Sequence, residues 1–293
     1  MWRQLAATVE ETLAERVSEW FSDQGALSVS LDDAGDQPLF EPPPGETPLW
    51  SLTRVTGLFD ADASTTDLEL AARRVFGDAI VTWSDTPLED QVWERAWMEH
   101  FQPMQFGERL WICPTGFEPP DPAAVNILLD PGLAFGTGTH PTTALCLRWL
   151  DSLDWSGESV LDFGCGSGIL AVAALRLGAS EATGIDIDPQ ALTATQDNAL
   201  KNGVASRIRC LHPTADTGGM FDVVVANILA GPLVELADII LSHLKPAGAI
   251  ALSGILEDQA ESVRMAYSHV VEFEPTETLE GWVVLKGRRR LVG

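Results

Sequence analysis

Hydrophobic residues along the first quarter of the chain fall into short patterned runs. Trp2, Leu5, Val9, Leu13, Val17 and Trp20 recur at three- and four-residue steps, which predicts one amphipathic helix over residues 3–22. Gly25 breaks that pattern. Residues 26–31 alternate as a strand, the Pro42-Pro43-Pro44-Gly45 cluster predicts a loop, and residues 50–59 predict a second strand. Helical spacing returns over residues 64–76, with Ser64 or Thr65 placed to cap it, and residues 79–83 predict a short strand. This order suits a small α+β domain of the ferredoxin-like kind. Residues 88–105 carry Trp93, Trp97, Met98 and Phe101, so a linking helix with an apolar face is expected there. The expected division is an N-terminal domain over 1–88, a linker helix over 89–104 and a second domain over 105–293.

Beyond the linker the pattern changes. A new strand starts at Leu110–Cys113, and residues 114–122 are rich in turn formers. Strands are predicted over 125–129, 159–163, 181–185, 222–226, 249–253 and 282–286, with helices over 141–152, 168–177, 189–202, 231–244 and 257–267. Alternating β and α segments predict an α/β domain with a mostly parallel, doubly wound sheet. Ligands of such sheets sit at the carboxyl ends of the strands, where strand order reverses.

Composition narrows the function. At 293 residues with 45% hydrophobic content and a mean hydropathy of +0.07, the chain has material for two domains and a large core. No apolar run approaches the roughly 20 residues that cross a bilayer, and the N-terminal residues lack the pattern of a signal peptide. Cys113, Cys146, Cys165 and Cys210 form no CxxC pair, and the histidines have no ligand spacing. Reduced cytoplasmic thiols and no metal are therefore expected. The net charge is −25, and residues 1–90 hold 5 basic and 18 acidic residues, a net −13. Such a surface repels phosphate backbones, so bulk nucleic-acid binding is not expected. It would attract a basic partner. It would equally serve solubility in a salt-rich cytoplasm, since Lys occurs three times against fifteen Arg.

Candidate chemistry gathers at four predicted strand ends. Asp162 precedes Gly164, Gly166 and Gly168 in Asp-Phe-Gly-Cys-Gly-Ser-Gly, just before an Ala/Leu-rich helix. Glycines there let a backbone approach a ligand closely at a helix N-terminus. A dinucleotide frame, G-x-G-x-x-A, is met only from Gly166 to Ala171. Asp186 lies 22 residues after Gly164, placed to accept protons from both hydroxyls of a ribose. Asp188 precedes Pro189 as a helix cap. The segment Asp130–Thr143 brings Gly132, Gly136 and Gly138 to a helix start, where Thr142 and Thr143 can hold a carboxylate and Phe135 can cover an apolar group. His140 reads as a base or as an N-terminal helix residue. Asn227 ends a strand, where its carbonyl can accept an amine proton and orient the lone pair.

The tight spacing from Asp162 to Gly168 resembles motif I of S-adenosylmethionine-dependent methyltransferases. Taken with Asp130–Thr143, Gly184–Pro189, Ala226–Pro232 and Leu252–Leu256, it closely resembles the ribosomal protein L11 methyltransferase family, most strongly over residues 89–293. The resemblance implies a Rossmann-like class I methyltransferase domain behind a small substrate-recognition domain. It implies S-adenosylmethionine as cofactor, and methylation of lysine ε-amines and the N-terminal α-amine of a basic large-subunit ribosomal protein. Cofactor positions carry over to Thr143, Gly164, Asp186 and Asn227, with Asn227 also positioning the amine and no dedicated base assigned. Many amine methyltransferases have Asn-Pro-Pro-aromatic at this strand end. Here the residues are Asn227-Ile228-Leu229-Ala230, so a flat nucleobase target is disfavoured. The competing expectations are another basic protein, a small amine or RNA as substrate, or a nicotinamide-dependent oxidoreductase using the Gly166–Ala171 frame.

Overall fold

A computed structural model describes residues 2–35, 49–88, 102–129, 140–215 and 217–291. The prolines at 42–44, most of the expected linker helix (89–101) and the loop containing Phe135 lie outside the described residues. Two compact units divide the chain, Met1–Ala96 and Trp97–Gly293.

In the first unit the order is β1 (Trp2–Glu10), α1 (Glu11–Asp23), β2 (Ser28–Asp33), β3 (Leu52–Asp60), α2 (Thr65–Phe76) and β4 (Thr82–Leu88). The sheet runs β2-β3-β1-β4 with every pair antiparallel, the βαββαβ arrangement expected. One prediction fails inside it. Residues 3–10 are a central strand, and only the second half of the predicted helix is helical. Leu5, Ala7 and Val9 are fully buried and alternate with more exposed neighbours. The three- and four-residue steps of Trp2, Leu5 and Val9 masked that period-two pattern, because Ala7 carries too little apolar surface to mark it. Ser64 stands at the α2 N-cap position without a side-chain cap bond. Strand β4 begins three residues later than predicted and ends at Leu88, the last residue of the expected N-terminal domain.

The second unit opens with β5 (Met104–Phe106), β6 (Leu110–Cys113) and β7 (Val125–Leu128), a separate three-stranded sheet. Met104 and Gln105, expected in the linker helix, are strand. So is β7, but it lies outside the main sheet. There follow α3 (Pro141–Ser152), β8 (Ser159–Phe163), α4 (Ile169–Leu177), β9 (Glu181–Ile185), α5 (Pro189–Lys201), β10 (Ile208–Leu211) and β11 (Phe221–Asn227). The chain ends through α6 (Ala230–Glu235), α7 (Ala237–Ser242), β12 (Leu244–Leu256), α8 (Ala260–Tyr267), β13 (Val271–Phe273), β14 (Glu277–Leu279) and β15 (Trp282–Arg289).

The main sheet runs β10-β9-β8-β11-β12-β15-β13, with β14 beside β15. It is parallel from β10 to β12, and β15 enters antiparallel. From β8 the chain winds outward through β9 to β10, then crosses back to β11 on the other side of β8. Strand order therefore reverses between β8 and β11, which fixes where a ligand crevice can form. Alternate residues of each strand feed two cores. Val160, Val223, Val225 and Ala251 join α3 and α4 on one face, while Leu161, Val224, Ile250 and Leu252 join α6, α7 and α8 on the other.

The single helix predicted over 231–244 is broken at Leu236 (φ −98°, ψ 10°) into α6 and α7. The buried Tyr267 hydroxyl donates to Leu233 O at 2.8 Å, a carbonyl that a continuous helix would bond to the N–H of residue 237. A distant side chain thus takes the acceptor that helix propagation needs.

The first unit's core is narrow and aromatic. Phe21 is fully buried on α1, with Phe59 and Trp83 rings each 5.8 Å away. Phe21→Ala is expected to cost about 3–5 kcal/mol of that unit's stability, with denaturant unfolding monitored by tryptophan fluorescence as the check.

Candidate active site

The strand register sets Gly164, Asp186 and Asn227 side by side. Phe163 pairs with Ile185 of β9 and with Ala226 of β11, so the next residue of each strand stands at the same level on the carboxyl rim. Gly164 and Asn227 flank the reversal point. Gly164 N and Cys165 N both donate to Ile185 O, at 2.8 and 2.9 Å. Gly166 N donates to Asp186 Oδ2 at 2.9 Å, tying the glycine loop to the neighbouring strand end. The second oxygen, Oδ1, accepts from Asp188 N at 3.0 Å. Asp188 Oδ1 in turn caps α5 by accepting from Gln190 N at 2.8 Å, the role expected of it.

All three loop glycines adopt positive φ: 77° at Gly164, 53° at Gly166 and 74° at Gly168. Side chains are also excluded by contact. A Cβ on Gly164 would collide with Ile228, and one on Gly168 would stand 2.6 Å from Thr195 Cγ2. Close approach of this backbone to its own neighbours thus depends on the absence of Cβ.

Asn227 meets Thr143 from α3: Asn227 Nδ2 donates to Thr143 Oγ1 at 3.2 Å. Thr143 is fully buried. The other end of the amide, Asn227 Oδ1, is buried and accepts no hydrogen bond. A buried carbonyl left without a donor costs free energy that a bound N–H would recover. All four predicted site residues therefore fall on one rim, linked in two pairs: Gly164's loop with Asp186, and Asn227 with Thr143.

Asp162 takes a different position from the one its neighbours suggest. Its side chain is 1% exposed, lying beneath the loop. Asp162 Oδ2 accepts from Ala171 N at 3.0 Å in the first turn of α4, and Oδ1 has no partner. Ala171, the last position of the dinucleotide frame, is thus a helix residue anchored to Asp162. Burial pushes the Asp162 carboxyl up to about 8; the Ala171 N–H pulls it down and the Asp186 charge adds to the rise. Burial also raises the Cys165 thiol, beside which Thr195 Oγ1 lies at 3.3 Å. It is a small buried side chain rather than a thiolate nucleophile.

His140 is the N-cap of α3. Its Nδ1 lies 2.8 Å from Thr142 Oγ1 and accepts from Thr142 N at 3.4 Å. Its ring meets Trp282 edge-on at 4.9 Å. Burial lowers its pKa, against a small upward pull from Glu280, which favours the neutral ring. Sequence reasoning did not bring Trp282 to this rim, because only the pairing of β15 with β12 carries it there. It also missed Thr195, Asn198 and Asn202, whose polar character on the buried face of α5 was a readable signal.

The profile of the family described as ribosomal protein L11 methyltransferase (PrmA) matches residues 1–290. The ribosomal protein L11 methyltransferase of Methylococcus capsulatus is 57% identical over 99% of this chain and 100% of its own. That of Aeromonas salmonicida is 52% identical over 98% of this chain and 99% of its own. A crystal structure of ribosomal protein L11 methylase from Lactobacillus delbrueckii subsp. bulgaricus superposes with a TM-score of 0.60 at 33% identity, covering 65% of this chain and all of that one.

Asp162 gives a pH test. A carboxyl held near 8 in the fold and near 4 when unfolded takes up a proton on folding. Its contribution to stability is present at low pH and is lost as pH rises from about 4 through about 8. Asp162→Asn cannot titrate, so the midpoint difference between variant and wild type should shift in the variant's favour across that window. Parallel thermal melts at each pH provide the check. The family match over residues 1–290 and relatives matched over nearly their full length place this chain in the ribosomal protein L11 methyltransferase family.

Proposed function

We propose that the rim around Gly164, Asp186, Thr143 and Asn227 binds S-adenosylmethionine and presents it to lysine ε-amines and the N-terminal α-amine of ribosomal protein L11. The family is S-adenosylmethionine-dependent and methylates a protein. The observation that carries the reading is the partnerless, buried Asn227 carbonyl beside the glycine loop at the reversal point. Its chemistry fits an amine: Oδ1 is an acceptor in need of an N–H donor.

Bound S-adenosylmethionine supplies a methyl group activated by a sulfonium. The chain's own residues bind, align and dehydrate. Asp186 retains acceptor capacity beyond its two backbone bonds and takes the ribose hydroxyls. Thr143 fixes the Asn227 amide through Nδ2 and so aims Oδ1 at the entering amine. A lysine amine attacks only when neutral, and its ordinary pKa is about 10.4. Burial against the rim lowers that value. Asn227 Oδ1 would then accept one amine hydrogen and hold the neutral amine with its lone pair free. The proton passes to water.

The position after Asn227 carries Ile228 and Leu229 in place of a stacking ring, which favours flexible aliphatic amines over nucleobases. The acidic N-terminal unit complements a basic substrate protein, and we assign it the recognition role, with residues around 89–104 as the linker between the two domains. No helix among the described residues is long and apolar enough to cross a membrane. A ribosomal protein substrate places the enzyme's work in the cytoplasm.

Incubation of L11 with enzyme and S-adenosylmethionine should raise its intact mass in steps of one methyl group; an unchanged mass overturns the proposal. Asp186→Ala should weaken S-adenosylmethionine binding by about 1.5–3 kcal/mol, as for loss of a charged hydrogen-bond partner, measured by calorimetry. If the N-terminal charge steers the substrate, turnover at subsaturating L11 should fall as salt rises. Rates indifferent to salt would assign the acidity to solubility alone.

A further inference from the structure

One helix grips the glycine loop from behind. Thr195 and Asn198 on α5 and Asn202 at its C-cap follow at three- and four-residue steps and so share a face. They are 0%, 8% and 5% exposed, at positions where a packed helix ordinarily carries apolar residues. Each is satisfied by the backbone of a segment that leads to the site. Thr195 Oγ1 donates to Gly166 O at 3.0 Å, and Asn198 Nδ2 donates to Ser167 O at 2.8 Å. Asn202 accepts from Leu128 N at 2.8 Å and donates to Leu128 O at 2.9 Å, imitating a neighbouring strand at the end of β7. It also donates to Asn198 O at 2.8 Å, joining the stripe into one network.

A trans peptide points its C=O and N–H in opposite directions. Holding the Gly166 carbonyl against α5 therefore turns the Ser167 N–H away from that helix. The glycines that let the loop approach a ligand also leave it free to rotate its peptides, since no Cβ restricts them. Within the loop, Gly168 N donates to Cys165 O at 2.7 Å, while the Gly166 and Ser167 carbonyls are held from outside by α5. Packing alone does not hold them so, because an apolar side chain at 195 or 198 would fill the space without selecting a carbonyl direction.

We propose that Thr195 and Asn198, braced by Asn202, are positioning residues for the cofactor: they fix the peptide orientations of the glycine loop and act on binding through it. The inference rests on the reading that this loop binds S-adenosylmethionine. Thr195→Val keeps the shape and the methyl beside Gly168 while removing the donor. The expected result is about tenfold weaker binding of S-adenosylhomocysteine by calorimetry, in line with loss of one oriented hydrogen bond. The KM for S-adenosylmethionine should rise in parallel, with kcat and the KM for L11 held within about twofold. Thr195→Ser restores the donor and should restore binding.

Asn198→Ala removes a different donor to the same loop and should show the same split. It provides the test should the valine variant fail to fold. A merely structural role predicts lower melting temperatures with wild-type affinity in the folded protein, and that result overturns the inference. Failure of the wild-type enzyme itself to bind S-adenosylhomocysteine would overturn the cofactor assignment, and the inference with it.

Discussion

The hydrogen bond from Gly166 N to the Asp186 carboxylate organises the carboxyl rim of the main sheet. It joins a loop leaving one strand to the end of the next, and it can form only because β8 and β9 end in register. A side chain on Gly164 would push the loop off Ile228, and one on Gly168 would push it off α5. The same carboxylate holds the N–H of Asp188, so the turn into α5 is set by the same group. One residue therefore orders both the loop and the helix that braces it from behind.

Around that bond the protein places buried polar groups with care for direction. Thr195 and Asn198 donate to the carbonyls of Gly166 and Ser167, and Asn202 bonds both backbone groups of Leu128. Asn227 is only half engaged, its amide nitrogen used on Thr143 and its carbonyl left over. Asp162 is half engaged as well, but it lies under the α4 N-terminus, where burial favours its neutral form. The two unsatisfied oxygens differ in function: one stands at the rim beside the reversal point, the other in the floor that supports it. Satisfied groups give rigidity, and the unsatisfied one at the rim is an acceptor that a donor N–H could satisfy.

Much of this was legible in the sequence. The βα punctuation of the second domain, the glycine spacing, Asp186 and the Asp188 cap follow from local rules, because each depends on near neighbours. Strands β8 and β9 and helix α3 fall where their patterns place them. The N-terminal strand was not legible: Leu5 and Val9 fit a helical and a strand period alike, and sheet pairing on both sides of β1 decided between them. The break at Leu236 depends on Tyr267, which stands 31 positions further on and leaves no local trace.

The sequence by itself determined which residue types stand at the strand ends, because acceptor capacity and the freedom of glycine belong to residue types. It also determined that the sheet would be largely parallel, since alternating strands and helices admit few other connections. Only the tertiary structure decided that the side-chain oxygen of Asn227 is left unpaired while its nitrogen is engaged, that Asp162 lies beneath the loop, and that α5 holds the loop's carbonyls. Those are matters of direction, and direction is fixed by register and packing between segments far apart in the chain.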